Sequence, residues 1–196
     1  MSTEIEVLVK VESNLDMLKD YFAKLAKFKH KKHIKDYYFY DPLRNNLKPD
    51  DSGHLYESLR VRDAGSVFSL TNKIDCFDNN GKWNYSDEFE TDISDFDNTI
   101  TILKNLGFKQ LTEVDVIKTY YELGDYEIAV EEVLRLGTFL EVEYKGIVLN
   151  NHADIKSKIE LFINGLPCIT SRDFDGGKPE LMIRKYGVAD GDCKSV

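Results

Sequence analysis

Glu4-Ile5-Glu6-Val7-Leu8-Val9-Lys10-Val11 opens the chain with apolar and other side chains in nearly strict alternation. That period of two marks a β-strand, whose successive side chains point to opposite faces. Ile5, Val7, Val9 and Val11 form a core face, while Glu4, Glu6 and Lys10, interrupted by Leu8, form the other. Two carboxylates on one strand face repel each other unless positive charge lies between them, and a divalent cation accepts carboxylate oxygens readily. Taken alone, such a face is more often simply solvated. Repetition of the pattern further along gives it weight.

Working outward, Ser13 followed by Leu15, Leu18, Phe22 and Leu25 predicts a capped amphipathic helix, with Lys19, Lys24, Lys27, Lys29, Lys31 and Lys32 as a solvated basic surface. Residues 34–41 predict an aromatic strand, and 42–54, with Pro42, Pro49 and Gly53, a long mobile loop. Strands are expected at 55–63, 66–75, 83–91, 113–122, 125–133 and 138–146. Turns at Asp63–Ser66 and Asp78–Gly81 join some of them. Helices are expected at 94–106 and 152–164. Hairpin connections imply antiparallel pairing, and eight such strands commonly close on themselves. The expected fold is α+β: a closed antiparallel eight-stranded β-barrel with about three outer helices. The 196 residues fit a single domain over 1–186, with 187–196 as a disordered tail.

The opening pattern of charges two residues apart recurs. Arg60 and Arg62 flank Val61, Glu88 and Glu90 flank Phe89, and Glu141 and Glu143 flank Val142; Lys73 and Lys118 lie on further strands. In a closed barrel whose outer face is covered by helices, these charges would line the lumen. Polyphosphate chemistry wants such a lumen. Arg and Lys bind phosphate oxygens, whereas carboxylates reach phosphate only through an intermediary such as Mg²⁺ or Mn²⁺.

Composition narrows the alternatives. A net charge of -9 weighs against nonspecific binding to nucleic acid or an anionic membrane. No apolar run reaches the length of a membrane span and no signal-peptide pattern opens the chain, so a cytoplasmic setting is expected. Cys76, Cys168 and Cys193 are odd in number and scattered, against a disulfide framework or zinc site. His30, His33, His54 and His152 have no metal-ligand spacing, and neither a P-loop nor a Ser-His-Asp arrangement is present.

The order of these pieces resembles the CYTH superfamily of triphosphate tunnel enzymes, which includes class IV adenylyl cyclases, thiamine triphosphatases and inorganic triphosphatases. The resemblance runs through Glu4-Ile5-Glu6, Leu59-Arg60-Val61-Arg62, Leu70-Thr71-Asn72-Lys73, Asp87-Glu88-Phe89-Glu90, Val116-Ile117-Lys118 and Glu141-Val142-Glu143 over residues 4–146. It continues more loosely to Gly177-Lys178-Pro179-Glu180-Leu181-Met182. It implies metal ligation by Glu4, Glu6, Glu141 and Glu143, joined by Glu88, Glu90 and Glu131, with Mg²⁺ or Mn²⁺ as cofactor. It implies triphosphate binding by Arg60, Arg62, Lys73 and Lys118.

Three positions depart from the family pattern. Leu8 stands where a lysine is expected, Tyr120 where an arginine commonly follows, and Ser86 where a base often precedes the acidic pair. Lys10, one pleat beyond Leu8, is the candidate substitute. The catalytic set is thus expected to be Glu4, Glu6 and Lys10, with Lys10 also touching substrate. The expected substrate is a small-molecule triphosphate and the expected state a monomer or homodimer. The leading expectation is hydrolysis. The alternatives are adenylyl cyclisation and a binding module without turnover.

Overall fold

The opening strand exists, but it is divided. In the computed structural model, Ser2–Glu4 (β1) and Glu6–Val11 (β2) are separate strands broken at Ile5. The structure describes residues 2–13, 15–77, 79, 81, 83–147, 152–172, 174 and 176–189, with the side chains of residues 2–4 and 84 outside that description. Of the expected turn at 78–81, residues 78 and 80 fall outside it.

Eight further strands follow: Lys27–Tyr40 (β3), Glu57–Asp63 (β4), Phe68–Phe77 (β5), Trp83–Ile93 (β6), Lys109–Leu123 (β7), Tyr126–Val133 (β8), Gly137–Tyr144 (β9) and Thr170–Ser171 (β10). The helices are Leu15–Leu25 (α1), Phe96–Asn105 (α2), His152–Asn164 (α3) and Lys178–Tyr186 (α4). All strands join one antiparallel sheet in the order β1-β6-β5-β4-β3-β7-β8-β9-β2-β10. The expected closed ring of eight strands is therefore corrected to a ladder of ten with two ends. The split at Ile5 adds one strand and the short β10 another. The expected three helices become four.

The sheet curls strongly. Glu6 on β2 and Lys73 on β5 are six steps apart along the ladder, which in a flat sheet would separate them by roughly 30 Å. Their side chains meet at 2.8 Å. The N-terminal segment shares in this curl: β1 pairs with β6 through Glu4↔Ser86, while β2 pairs with β9 through Glu6↔Glu143. The Ile5 carbonyl accepts from the Tyr144 amide at 3.0 Å.

The apolar rows explain which face is covered by what. Ile5, Val7, Val9 and Val11 pack with Leu18 and Phe22 of α1 and Ile159 and Ile163 of α3. Leu103 of α2 packs on Phe39 and Val61. The opposite face is closed at one end by α4, whose Met182 and Ile183 join Val114, Val116, Phe139 and Tyr38, with Leu8 packed alongside. Helix α4 starts at Gly177, whose amide donates to the Glu180 carboxylate at 2.9 Å, and has Pro179 in its first turn.

Two segments differ from expectation. β3 begins at Lys27, seven residues before the expected start, because the lysine-rich stretch pairs with β7 from Lys27↔Glu122 onward. The 42–54 segment is anchored: Leu47 is buried, Arg44 grips Glu57 at 2.9 Å, and Arg184 of α4 donates to the Ser52 carbonyl at 2.9 Å. Gly53, at φ +78°, sits beneath Arg184, where an added Cβ would lie 3.1 Å from its Cγ. At the C-terminus, Gly187 and Ala189 amides are hydrogen-bonded to Ile183 and Leu111 carbonyls. The remainder of the expected tail, 190–196, lies outside the described residues. Among the described residues, no helix is long and apolar enough to cross a membrane.

Candidate functional site

Pairing register brings the charged residues of neighbouring strands into rows, because directly opposed residues point to the same face. Asp36, Arg62, Ser69 and Asp92 form one row across β3, β4, β5 and β6; Tyr38, Arg60, Thr71 and Glu90 form the next. Lys73 lies beside Glu88 in a third. The face that α4 caps is thus the charged one.

Three clusters organise it. In the first, Asp36 accepts two bonds from Arg62, at 2.7 and 2.8 Å, with the Arg60 guanidinium 4.0 Å away. Burial pushes the Asp36 carboxyl up, but Arg62 and Arg60 outweigh it and bring its pKa down to about 2. Burial also works against the Arg62 charge, which Asp36 more than restores. Arg60 reaches Glu88 at 3.1 Å, Thr71 at 3.1 Å and Glu90 at 3.5 Å. Its Nε is buried and has no hydrogen-bond partner among the described residues.

In the second cluster, Glu131 is fully buried and contacts both Lys118 and Lys178. Glu141 accepts from Lys118 at 2.9 Å and from Lys178 at 2.7 Å. Burial would neutralise Glu141, Lys118 and Lys178, yet their charges support one another. Glu141 is held well below the usual carboxylate range by the two ammonium groups. Burial lowers the pKa of Lys118 and Lys178, but Glu131 and Glu141 raise both above the usual lysine value. The third cluster is the Lys73–Glu6 pair, with Glu143 opposite Glu6 in register and in contact with Lys145 at 2.7 Å.

The expected site residues therefore fall as follows. Arg60, Arg62, Lys73 and Lys118 share one face with Glu6, Glu88, Glu90, Glu131 and Glu141. The Glu4 backbone pairs with Ser86, and its side chain lies outside the described residues. Lys10 is not brought into the clusters: it pairs with Glu12 at 3.0 Å and is 38 % exposed. Leu8 lies opposite Glu141 in register, where an ammonium arrives from α4 instead. Ser86 is buried, donates to Asp75 at 2.7 Å and accepts from the Trp83 indole at 3.2 Å. His33 is exposed, beside Asp115. Lys178, which joins the second cluster, is a candidate site residue that the sequence reading did not single out. The signal available for it was Gly177-Lys178-Pro179-Glu180, a helix start at the head of the expected C-terminal segment.

Among the described residues, no three acidic, histidine or cysteine side chains form a ready-made metal cage. The acidic groups are instead held by cations. Their chemistry still suits a hard divalent ion: all are carboxylates, and Glu6 and Glu143 are like charges directly opposed on adjacent strands.

The Asp36 shift gives a testable pH dependence. A carboxyl depressed to about 2 from 3.8 contributes stability above the unfolded value, lost as pH falls through the window between them. That contribution is about 2 to 3 kcal/mol. In urea titrations between pH 5 and pH 2, Asp36→Asn should show a correspondingly flatter loss of stability than the parent. Parallel curves would remove Asp36 from this role.

A family model described as the CYTH domain matches residues 2–166. The chain belongs to the CYTH domain family. A candidate adenylate cyclase of Methanocaldococcus jannaschii is 31 % identical over 140 residues, 71 % of this chain and 75 % of that one. The PH1819 protein of Pyrococcus horikoshii superposes with a TM-score of 0.73 at 26 % identity, covering 92 % of this CYTH chain and 99 % of its own. A candidate adenylyl cyclase from Hippeastrum, HpAC1, described as revealing a dominant triphosphatase activity, has a TM-score of 0.60 at 15 % identity, covering 93 % and 95 %. The last likeness is one of fold alone. Helix α4, with Lys178, lies beyond the residues matched by the family model.

Proposed function

We propose that this CYTH domain is a divalent-metal-dependent enzyme that hydrolyses the terminal phosphate of a triphosphate inside the curled sheet, which acts as a tunnel. The observation that carries the reading is the convergence of Arg60, Arg62, Lys73, Lys118 and Lys178 from β4, β5, β7 and α4 onto one face. Their side chains are fixed by carboxylates before any ligand arrives, the arrangement that positions phosphate oxygens without reorganisation.

Charge balance supports the metal. These five cations face six carboxylates, Asp36, Glu6, Glu88, Glu90, Glu131 and Glu141. A triphosphate would add about four more negative charges at neutral pH. Mg²⁺ or Mn²⁺ held by Glu6 and Glu143, with Glu4 as a further ligand implied by the family resemblance, would offset this charge and polarise the phosphate oxygens. Glu88 and Glu90 orient Arg60, and Glu131 and Glu141 orient Lys118 and Lys178. A water oxygen attacks the terminal phosphorus, the bond to the bridging oxygen breaks, and the diphosphate leaves with its electrons. The proton of the water passes to the acidic wall.

A second reading, adenylyl cyclisation, is favoured by the Methanocaldococcus relative, a candidate adenylate cyclase. There the ribose 3′-hydroxyl attacks the α-phosphorus and pyrophosphate leaves. Incubation with ATP, tripolyphosphate and thiamine triphosphate in Mg²⁺ or Mn²⁺, with the products resolved chromatographically, separates the two. A diphosphate with orthophosphate is the expected result; cyclic AMP with pyrophosphate would establish the cyclase. Binding without turnover would reduce the domain to a binding module. Glu6→Gln should raise the metal concentration needed for half-maximal activity, and an unchanged requirement would remove Glu6 from the metal set.

A further inference from the structure

We propose that Lys178 of α4 stands in for a metal ion at the Glu131–Glu141 end of the acidic wall, which therefore takes no divalent cation. This rests on the metal-dependent reading above, in which the ion lies at the Glu6–Glu143 end. It narrows the ligand set that the family resemblance implies.

Every carboxylate oxygen of Glu131 and Glu141 already faces an ammonium. Lys178 donates to Glu131 Oε1 at 2.9 Å, to Glu131 Oε2 at 2.7 Å and to Glu141 Oε2 at 2.7 Å. Lys118 contacts Glu131 Oε1 and donates to Glu141 Oε1 at 2.9 Å. The two carboxylates and the two ammonium groups balance without further charge. A hard divalent ion prefers about six oxygen ligands. Here it would find two side chains already engaged, with like charges beside them.

Lys178 is also held in place. Its side chain is 11 % exposed, and that of Glu131 is fully buried. The turn before it is closed on Glu180, whose carboxylate accepts from the Gly177 amide. Gly176, at φ +84°, comes so near that an added Cβ would lie 2.9 Å from the Glu180 Cδ. Pro179 fixes the backbone directly after it. The cations at the other end are looser: Lys145 beside Glu143 is 51 % exposed and Lys73 beside Glu6 is 23 % exposed. A metal ion can displace such side chains into water at small cost.

Leu8 fits the same arrangement. It lies opposite Glu141 in register and packs on the apolar cluster that includes Met182 and Ile183 of α4. A lysine there would bring a third ammonium to two carboxylates. Leucine instead gives α4 an apolar seat, so Leu8 and Lys178 are complementary.

The test counts Mn²⁺ bound per chain by electron paramagnetic resonance, without substrate, in the parent, Lys178→Ala and Lys178→Gln. Either variant frees oxygens of both carboxylates and should bind about one Mn²⁺ more than the parent. The glutamine variant keeps hydrogen bonding to the carboxylates and serves should the alanine variant not fold. Adding Glu131→Gln to either should abolish the gain. Adding Leu8→Lys should do the same, because it returns an ammonium opposite Glu141. Mn²⁺ should also raise the melting temperature of Lys178→Ala more than that of the parent, since an ion bound only by the folded chain stabilises it. Equal Mn²⁺ counts in the parent and both variants would overturn the proposal, as would an extra ion that survives Glu131→Gln. Mn²⁺ binding by Glu6→Gln equal to that of the parent would overturn the metal reading at the Glu6–Glu143 end, whatever the Lys178 variants show.

Discussion

Replacing Glu131 by leucine is expected to lower the melting temperature by about 10 °C. The carboxylate is fully buried and contacts two ammonium groups, Lys118 and Lys178, with Glu141 as their other acidic partner. Removing it leaves two buried positive charges around one carboxylate. Breaking a buried pair in this one-sided way costs about 3 to 5 kcal/mol, and in a chain of this size each kcal/mol moves the midpoint by roughly 2 to 4 °C. Adding Lys178→Met to Glu131→Leu should recover part of the loss, because it restores a one-to-one balance between Lys118 and Glu141. Differential scanning calorimetry on the single and double variants reads both effects. A fall below about 3 °C for Glu131→Leu would mean that the ammonium groups relax to water, by the same conversion.

Arg62→Met should weaken tripolyphosphate binding by about 100-fold or more. The basis is two lost charge-assisted hydrogen bonds at roughly 1.5 to 3 kcal/mol each. Arg62→Lys should recover little, since a lysine cannot keep the two-point grip on Asp36 that aims the guanidinium. Because Arg62→Met leaves the buried Asp36 with only the weaker support of Arg60 and Lys118 among the described cations, the Asp36→Asn, Arg62→Met double variant serves as the folded control. Calorimetric titration of all three gives the answer. Affinity within about 3-fold of the parent would exclude Arg62 from the phosphate set, since one such bond alone exceeds that factor.

The strands and the identity of the charged face were legible because alternation is a local property. Arg60 and Arg62, or Glu141 and Glu143, announce their common face from spacing alone. What stayed hidden depends on long-range pairing. The first half of β3 has no apolar row, so its lysines read as helix surface until β7 pairs with them. Helix α4 has nine residues, too few for periodicity to identify, and its Lys178 is one lysine among many. The break at Ile5 leaves no mark on the alternation of the sequence, although the backbone changes partner there. Leu8 was legible as a departure. Where the compensating ammonium comes from was not, because Lys178 lies 170 positions away in the chain.

That change of partner at Ile5 also sets an order in time. Residues 2–11 are synthesised before their partners, and need Ser86 through Glu88 on one side and Phe139 through Glu143 on the other before their backbone is satisfied. Pairings at such sequence separation carry a large loop-closure cost and make folding slow. Until then the nascent chain holds Ile5, Val7, Val9 and Val11 exposed as an unpaired apolar edge, the kind of surface chaperones shield. A segment made well before its partners is among the last to find its place.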